Sequence, residues 1–147
     1  MTDTTGPVFA QLNIVVADMS ASMGFYRRLG LSPSDTDGMH AEASLPGGLS
    51  LEWDSAESAA LWDSGTRGAV TGSIVLGFTL PTRQAVDDLY AELTAAGYQS
   101  RQVPYDAFWG SRYSIVEDPD GNGVGLMSPI EADRRYWPPA PAPREAS

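Results

Sequence analysis

Few residues in this chain could carry chemistry. There is one imidazole, His40, and no cysteine, so thiolate metal sites, cysteine nucleophiles and disulfides are all excluded. Polar side chains instead recur at alternate positions of strand-like runs: Gln11 and Asn13, then Ser50 and Glu52, then Ser73. Alternation gathers such residues on one strand face, opposite Leu12, Ile14 and Val16, Leu51 and Trp53, and Ile74 and Leu76. A face with two amides, hydroxyls and one carboxylate can hydrogen-bond a small molecule and offer it a single negative charge. The same carboxylate in a closed pocket is a potential general base. The second concentration of chemistry is aromatic. Tyr105, Phe108 and Trp109 crowd the approach to a hairpin that begins at Tyr113, where they either close a core edge or roof a ligand.

The elements that must position these residues follow in order. Phe9 to Ala17 reads as a strand, and Asp18 or Ser20 N-caps a helix with the stripe Met19, Met23 and Tyr26, closed by Gly30. Thr36 to Leu45 is a weak strand around His40, read as a partly exposed or hydrogen-bonded strand residue. Pro46-Gly47-Gly48 turns the chain into the strand Leu49 to Trp53. After a polar stretch whose anchors are Leu61 and Trp62, the plan begins again. Gly72 to Leu80 is a strand, Thr82 caps a helix carrying Val86, Leu89, Tyr90 and Leu93 up to Gly97, and Tyr98 to Val103 is a strand. Asp118-Pro119-Asp120-Gly121-Asn122 then writes a turn between Tyr113–Val116 and Val124–Met127. The expected segments are a leader over 1–8, a βαβββ module over 9–54, a linker over 55–71, a second βαβββ module over 72–129 and a proline-rich tail over 130–147, anchored by Tyr136 and Trp137.

Composition bounds the partners. The 147 residues are 42% hydrophobic, enough for a folded core. Nine Lys+Arg against 19 Asp+Glu leave a formal charge of −10, the wrong sign for nucleic acid. That charge serves solubility or steers a cationic small molecule. No apolar run reaches membrane-span length and the first residues lack the pattern of a signal peptide, so a cytoplasmic protein is expected.

A βαβββ unit used twice, with Asp18…Phe25-Tyr26…Leu29-Gly30 after the first strand and Asp118-Pro-Asp-Gly-Asn122 before the last, resembles the vicinal oxygen chelate superfamily, the glyoxalase, bleomycin-resistance and extradiol dioxygenase group. The resemblance covers residues 9 to 129. It implies an α+β fold in which two tandem βαβββ modules form a curled, partly barrel-like mixed sheet around a cavity, with helices outside. It also implies four metal-ligand positions, which fall here on Gln11, Glu52, Ser73 and Gly125. One carboxylate, one amide, one hydroxyl and a glycine are a poor donor set for a divalent ion, so no metal and no other cofactor is expected there. Small inward residues such as Gly77, Gly123 and Gly125 leave room for a ligand. Gln11, Asn13, Glu52 and Ser73 would bind it by polar contacts, and Phe108, Trp109, Tyr113 and Met127 by stacking and apolar contact. The function expected is metal-free binding of an aromatic or cationic compound, such as an antibiotic, by a protein of the bleomycin-resistance type. The alternative is a lyase, isomerase or oxygenase using Glu52 as general base or metal ligand. A homodimer is expected, with a C2 interface drawing on Trp62 and the leader.

Overall fold

The computed structural model describes residues 9–35, 37–70 and 74–145. Ser73 and the leader fall outside the described residues. The chain divides into two compact units, Met1–Val70 and Thr71–Ser147.

The first unit contains β1 (Gln11–Val16), α1 (Met19–Arg28), β2 (Ser34–Asp35), β3 (His40–Ser44), β4 (Ser50–Ser55) and α2 (Ala56–Trp62). Its strands form one mixed sheet in the order β1-β4-β3-β2, with β1 parallel to β4 and the other pairs antiparallel. Asp18 caps α1 by accepting from the Ala21 amide at 3.0 Å, and Gly30 leaves the helix at φ +90°. The apolar stripe of α1 covers one face of the sheet. Met23, Phe25 and Tyr26 are fully buried, and the Tyr26 ring lies 5.1 Å from that of Trp53 on β4. Ala41, Ala43, Leu51 and Trp53 supply the sheet side of this core. Their small and large partners interdigitate across the β3–β4 pair, Ala41 opposite Trp53 and Ala43 opposite Leu51.

The second unit repeats the plan with β5 (Val75–Thr79), α3 (Arg83–Ala95), β6 (Ser100–Asp106), β7 (Arg112–Glu117) and β8 (Gly123–Met127), in sheet order β5-β8-β7-β6. Thr82 caps α3 through the Ala85 amide, and Val86 and Leu93 are its buried residues. The turn between β7 and β8 has the chemistry its residues dictate. Gly121 donates to the Asp118 carbonyl at 2.9 Å, and the Asp118 carboxylate accepts from the Asp120 and Asn122 amides. Both sheets are mixed α+β sheets that do not close on themselves.

Three expectations change. The 55–71 stretch, expected as a linker, opens with a helix: Ser55 caps α2 by accepting from the Ser58 amide, and Ser58 and Ala59 are its buried residues. Its expected anchors Leu61 and Trp62 are instead exposed. Tyr105 belongs to a strand, paired with Tyr113 across β6–β7, rather than to the aromatic loop. After Ile130, Tyr136 donates its amide to the Phe108 carbonyl and its hydroxyl to that of Asp106. Among the described residues, no helix is long and apolar enough to cross a membrane.

Candidate functional site

Strand register assembles the site of the first unit. Parallel pairing sets Gln11 beside Ser50, Asn13 beside Glu52 and Val15 beside Asp54. Antiparallel pairing sets His40 opposite Asp54 and Glu42 opposite Glu52. Because side chains alternate, Gln11, Asn13, Glu52, Asp54, His40 and Glu42 share the sheet face that α1 leaves uncovered. There all but Glu42 line a pocket of about 310 Å³, completed by Ser58 and Trp62. The last two come from α2, which starts directly after β4. Spacing i,i+4 puts both on one helix face.

Asp54 organises the pocket. Its side chain is 2% exposed, and its carboxylate accepts from Asn13 Nδ2 (3.0 Å), Ser58 Oγ (3.0 Å) and His40 Nδ1 (2.9 Å). Burial by itself pushes this carboxyl upward, but the hydrogen bonds from His40, Asn13 and Ser58 and the His40 charge together hold it below its ordinary value. The Asp54 hydrogen bond raises His40 above its ordinary value against the opposing effect of burial, helped by the charges of Asp54 and Glu52 and by Glu42. With Nδ1 on Asp54, the other ring nitrogen lies 3.5 Å from Glu52 Oε1 and 3.7 Å from Glu42 Oε2. Glu52 is nearly buried at 13% exposure and also accepts from Ser50 Oγ at 2.7 Å. Three carboxylates thus face one imidazole, and the pocket stays negative even when His40 is protonated.

The two shifts set a pH window. His40 is raised, so its contribution to stability is complete below 6.5 and is lost as pH climbs through its folded value. Asp54 is depressed, so its contribution is present above 3.8 and is lost as pH falls through its folded value. Chelator-treated protein should therefore unfold at lower urea concentration at pH 9 than at pH 6, and His40→Gln should flatten that difference. Urea midpoints across pH measure it. An unchanged slope in the variant would show that His40 does not carry the effect.

The residues expected to bind by stacking lie in the second unit. Phe108 and Trp109 line an apolar groove of about 430 Å³ with Arg135, Tyr136 and Trp137. Their rings meet edge to face, Phe108 with Trp109 at 5.3 Å and Phe108 with Trp137 at 5.8 Å. Tyr113 stands 5.2 Å from Trp109 and pairs with Met127 across β7–β8. Burial raises the Tyr113 hydroxyl. The expected free space beside the β8 glycines is filled. A Cβ on Gly125 would meet Tyr113 Oη at 2.8 Å, and one on Gly123 would meet the Arg101 guanidinium at 2.5 Å. Those glycines admit neighbouring side chains rather than a ligand.

The four positions to which the resemblance assigns a metal do not suit one. Gly125 offers no donor and its space belongs to Tyr113, and a neutral amide oxygen from Gln11 is a weak ligand beside the imidazoles and carboxylates such a site uses. The alternation joins Gln11, Asn13 and Glu52 on one face, but it sets His40 aside and ends the strand at Trp53, one residue short of Asp54, whereas β4 runs on to Ser55. The signals were present. His40-Ala-Glu42-Ala-Ser44 alternates polar and small, and Ser50, Glu52 and Asp54 share one parity.

Residues 8–126 match the Glyoxalase/Bleomycin resistance protein/Dioxygenase superfamily, and the chain belongs to that family. Similar solved structures include a glyoxalase-related enzyme from Fulvimarina pelagi, with a TM-score of 0.72 at 25% identity over 84% of this chain and 92% of the other. A glyoxalase/bleomycin resistance protein/dioxygenase from Nocardioides has a TM-score of 0.68 at 21% identity over 99% of this chain and 93% of the other. Lactoylglutathione lyase from Agrobacterium tumefaciens has a TM-score of 0.63 at 19% identity over 84% and 94%. No curated protein matches the chain.

Proposed function

We propose that this chain is a small-molecule binding protein of the bleomycin-resistance type, and that the pocket of its first unit takes a cationic compound with a planar portion. The observation that carries this reading is the excess of carboxylates around the pocket: Glu52 and Asp54 line it, Glu42 lies 3.7 Å from the His40 ring, and among the described lining residues only His40 opposes them. Such a pocket attracts a cation and offers it charge-assisted hydrogen bonds. Trp62 lines the pocket at 56% exposure, with ring surface available for stacking or cation–π contact. Gln11 and Asn13 supply the orienting polar contacts. A volume near 310 Å³ admits a small compound or the end of a larger one.

Tryptophan fluorescence titration of chelator-treated protein with a panel of planar amines and their neutral analogues tests this. Glu52→Gln keeps shape and should weaken cations by about 1.5–3 kcal/mol while leaving neutral analogues unchanged. Trp62→Ala should weaken both by about 1–3 kcal/mol. The reading fails if neither substitution alters any ligand that the wild type takes up.

The His40–Asp54 pair favours a second reading, an enzyme on the same framework. An imidazole fixed through Nδ1 by a buried carboxylate, with its other nitrogen toward the pocket, is arranged as a general acid–base. The lyase or isomerase chemistry that this permits would answer His40→Gln by losing turnover while keeping ligand affinity.

A further inference from the structure

We propose that His40, Glu42 and Glu52 form a binding site for a divalent transition-metal ion, built across β3 and β4 and sharing only Glu52 with the four positions considered above. One ligand atom from each of the three residues lies within 4.8 Å of the others. The His40 Nε2 distances of 3.5 Å to Glu52 and 3.7 Å to Glu42 are close to what a tetrahedral ion imposes, since bonds of about 2.0–2.2 Å place donors about 3.4 Å apart. One imidazole and two carboxylates form a mixed nitrogen–oxygen set that suits Zn²⁺, Co²⁺ or Mn²⁺.

The surroundings supply a second, independent argument. A metal-ligating histidine needs its other ring nitrogen held, so that the ring is oriented and the proton sits away from the ion. His40 Nδ1 is held at 2.9 Å by Asp54, which is itself buried and fixed by Asn13 and Ser58. The tautomer with the proton on Nδ1 turns the Nε2 lone pair toward the two glutamates. Without an ion, a proton on Nε2 occupies the same place, so metal and proton compete for it. His40 and Glu52 line the same pocket as Gln11 and Asn13. A bound ion would cancel the charge that attracts an organic cation, so the two classes of ligand exclude one another at Glu52.

The site is tested on the full chain stripped with chelator and then titrated with Co²⁺ and Zn²⁺, with no organic ligand present. Its outcome is therefore separate from that of the ligand-binding proposal. Visible absorption of Co²⁺ and calorimetry of Zn²⁺ should both saturate at one equivalent. His40→Gln should lower affinity at least 100-fold, and Glu42→Gln at least 10-fold. Glu42 is 59% exposed on its strand, so that substitution spares folding. Asp54→Asn retains all three ligands and should weaken binding 10–100-fold through the lost orientation of the ring. Absence of saturable binding by the wild type overturns the proposal, as does affinity that survives His40→Gln or Glu42→Gln.

Discussion

Asp54→Ala should destabilise the protein by about 2–4 kcal/mol, because it removes a buried charge and strands the donors that converge on it. The wild-type carboxylate accepts from Asn13, Ser58 and His40, and these three come from β1, α2 and β3. One side chain therefore ties three elements to β4. The upper end of the scale for breaking a buried pair does not apply, since the His40 side chain is 41% exposed and water can replace part of its lost partner. Ser58→Ala removes one donor only and should cost about 1 kcal/mol. Asp54→Asn keeps the shape and should fall between the two, because its amide nitrogen must face a donor. Urea midpoints at constant m-value give these differences. Imidazole nitrogen shifts should meanwhile show His40 moving from a fixed Nδ1–H form to a mixture of tautomers in Asp54→Ala. A cost below about 0.5 kcal/mol, within the range of an ordinary surface change, would mean that Asp54 does not organise the pocket.

What the sequence made legible, and what it hid, follows from the range of each signal. Caps and turns are local, so Asp18, Thr82 and the Asp118–Asn122 turn could be read from neighbouring residues alone. The paired faces of β1 and β4 were legible because each strand alternates apolar and polar. β3 offers weaker contrast, since its core-facing residues are Ala41 and Ala43, whose small side chains leave room for Trp53 and Leu51. Only the pairing register reveals that His40 lies against Asp54, and register is a property of two strands, not one. Asp54 was hidden for another reason. An aspartate followed by Ser-Ala-Glu-Ser looks like the end of structure, yet Ser55 caps a helix that returns over the strand it has just left. A helix of seven residues is too short to show a period, so Trp62 could be placed in the pocket only by geometry. The role of Gly125 was hidden in the same way, because the Tyr113 ring that fills its space comes from the neighbouring strand.

Gly110→Ala is expected to cost about 2–5 kcal/mol and to free the C-terminal segment from the aromatic loop. Two effects combine. Gly110 sits at φ +103°, where an L side chain adds about 1–2 kcal/mol of strain, and overpacking adds about 1–3 kcal/mol. The overpacking is severe because the new Cβ would land on the Glu131 carbonyl oxygen, with Arg135 Cγ also at 3.3 Å. A backbone oxygen cannot rotate away as a side-chain tip can. The segment would have to lift, breaking the bond from the Glu131 amide to the Gly110 carbonyl and then that from the Tyr136 amide to Phe108. Trp137, already 78% exposed, would leave the edge of Phe108, and the fluorescence of Trp109 should shift toward that of solvated indole. Gly97→Ala is the control. It too has positive φ, at +100°, but no atom lies within 4 Å of its new Cβ, so it should show the conformational cost alone, about 1–2 kcal/mol. Urea unfolding separates the two substitutions, and fluorescence at zero denaturant reports the loop. Equal costs for Gly110→Ala and Gly97→Ala, with an unchanged spectrum, would mean that the segment does not pack on the aromatic loop as described.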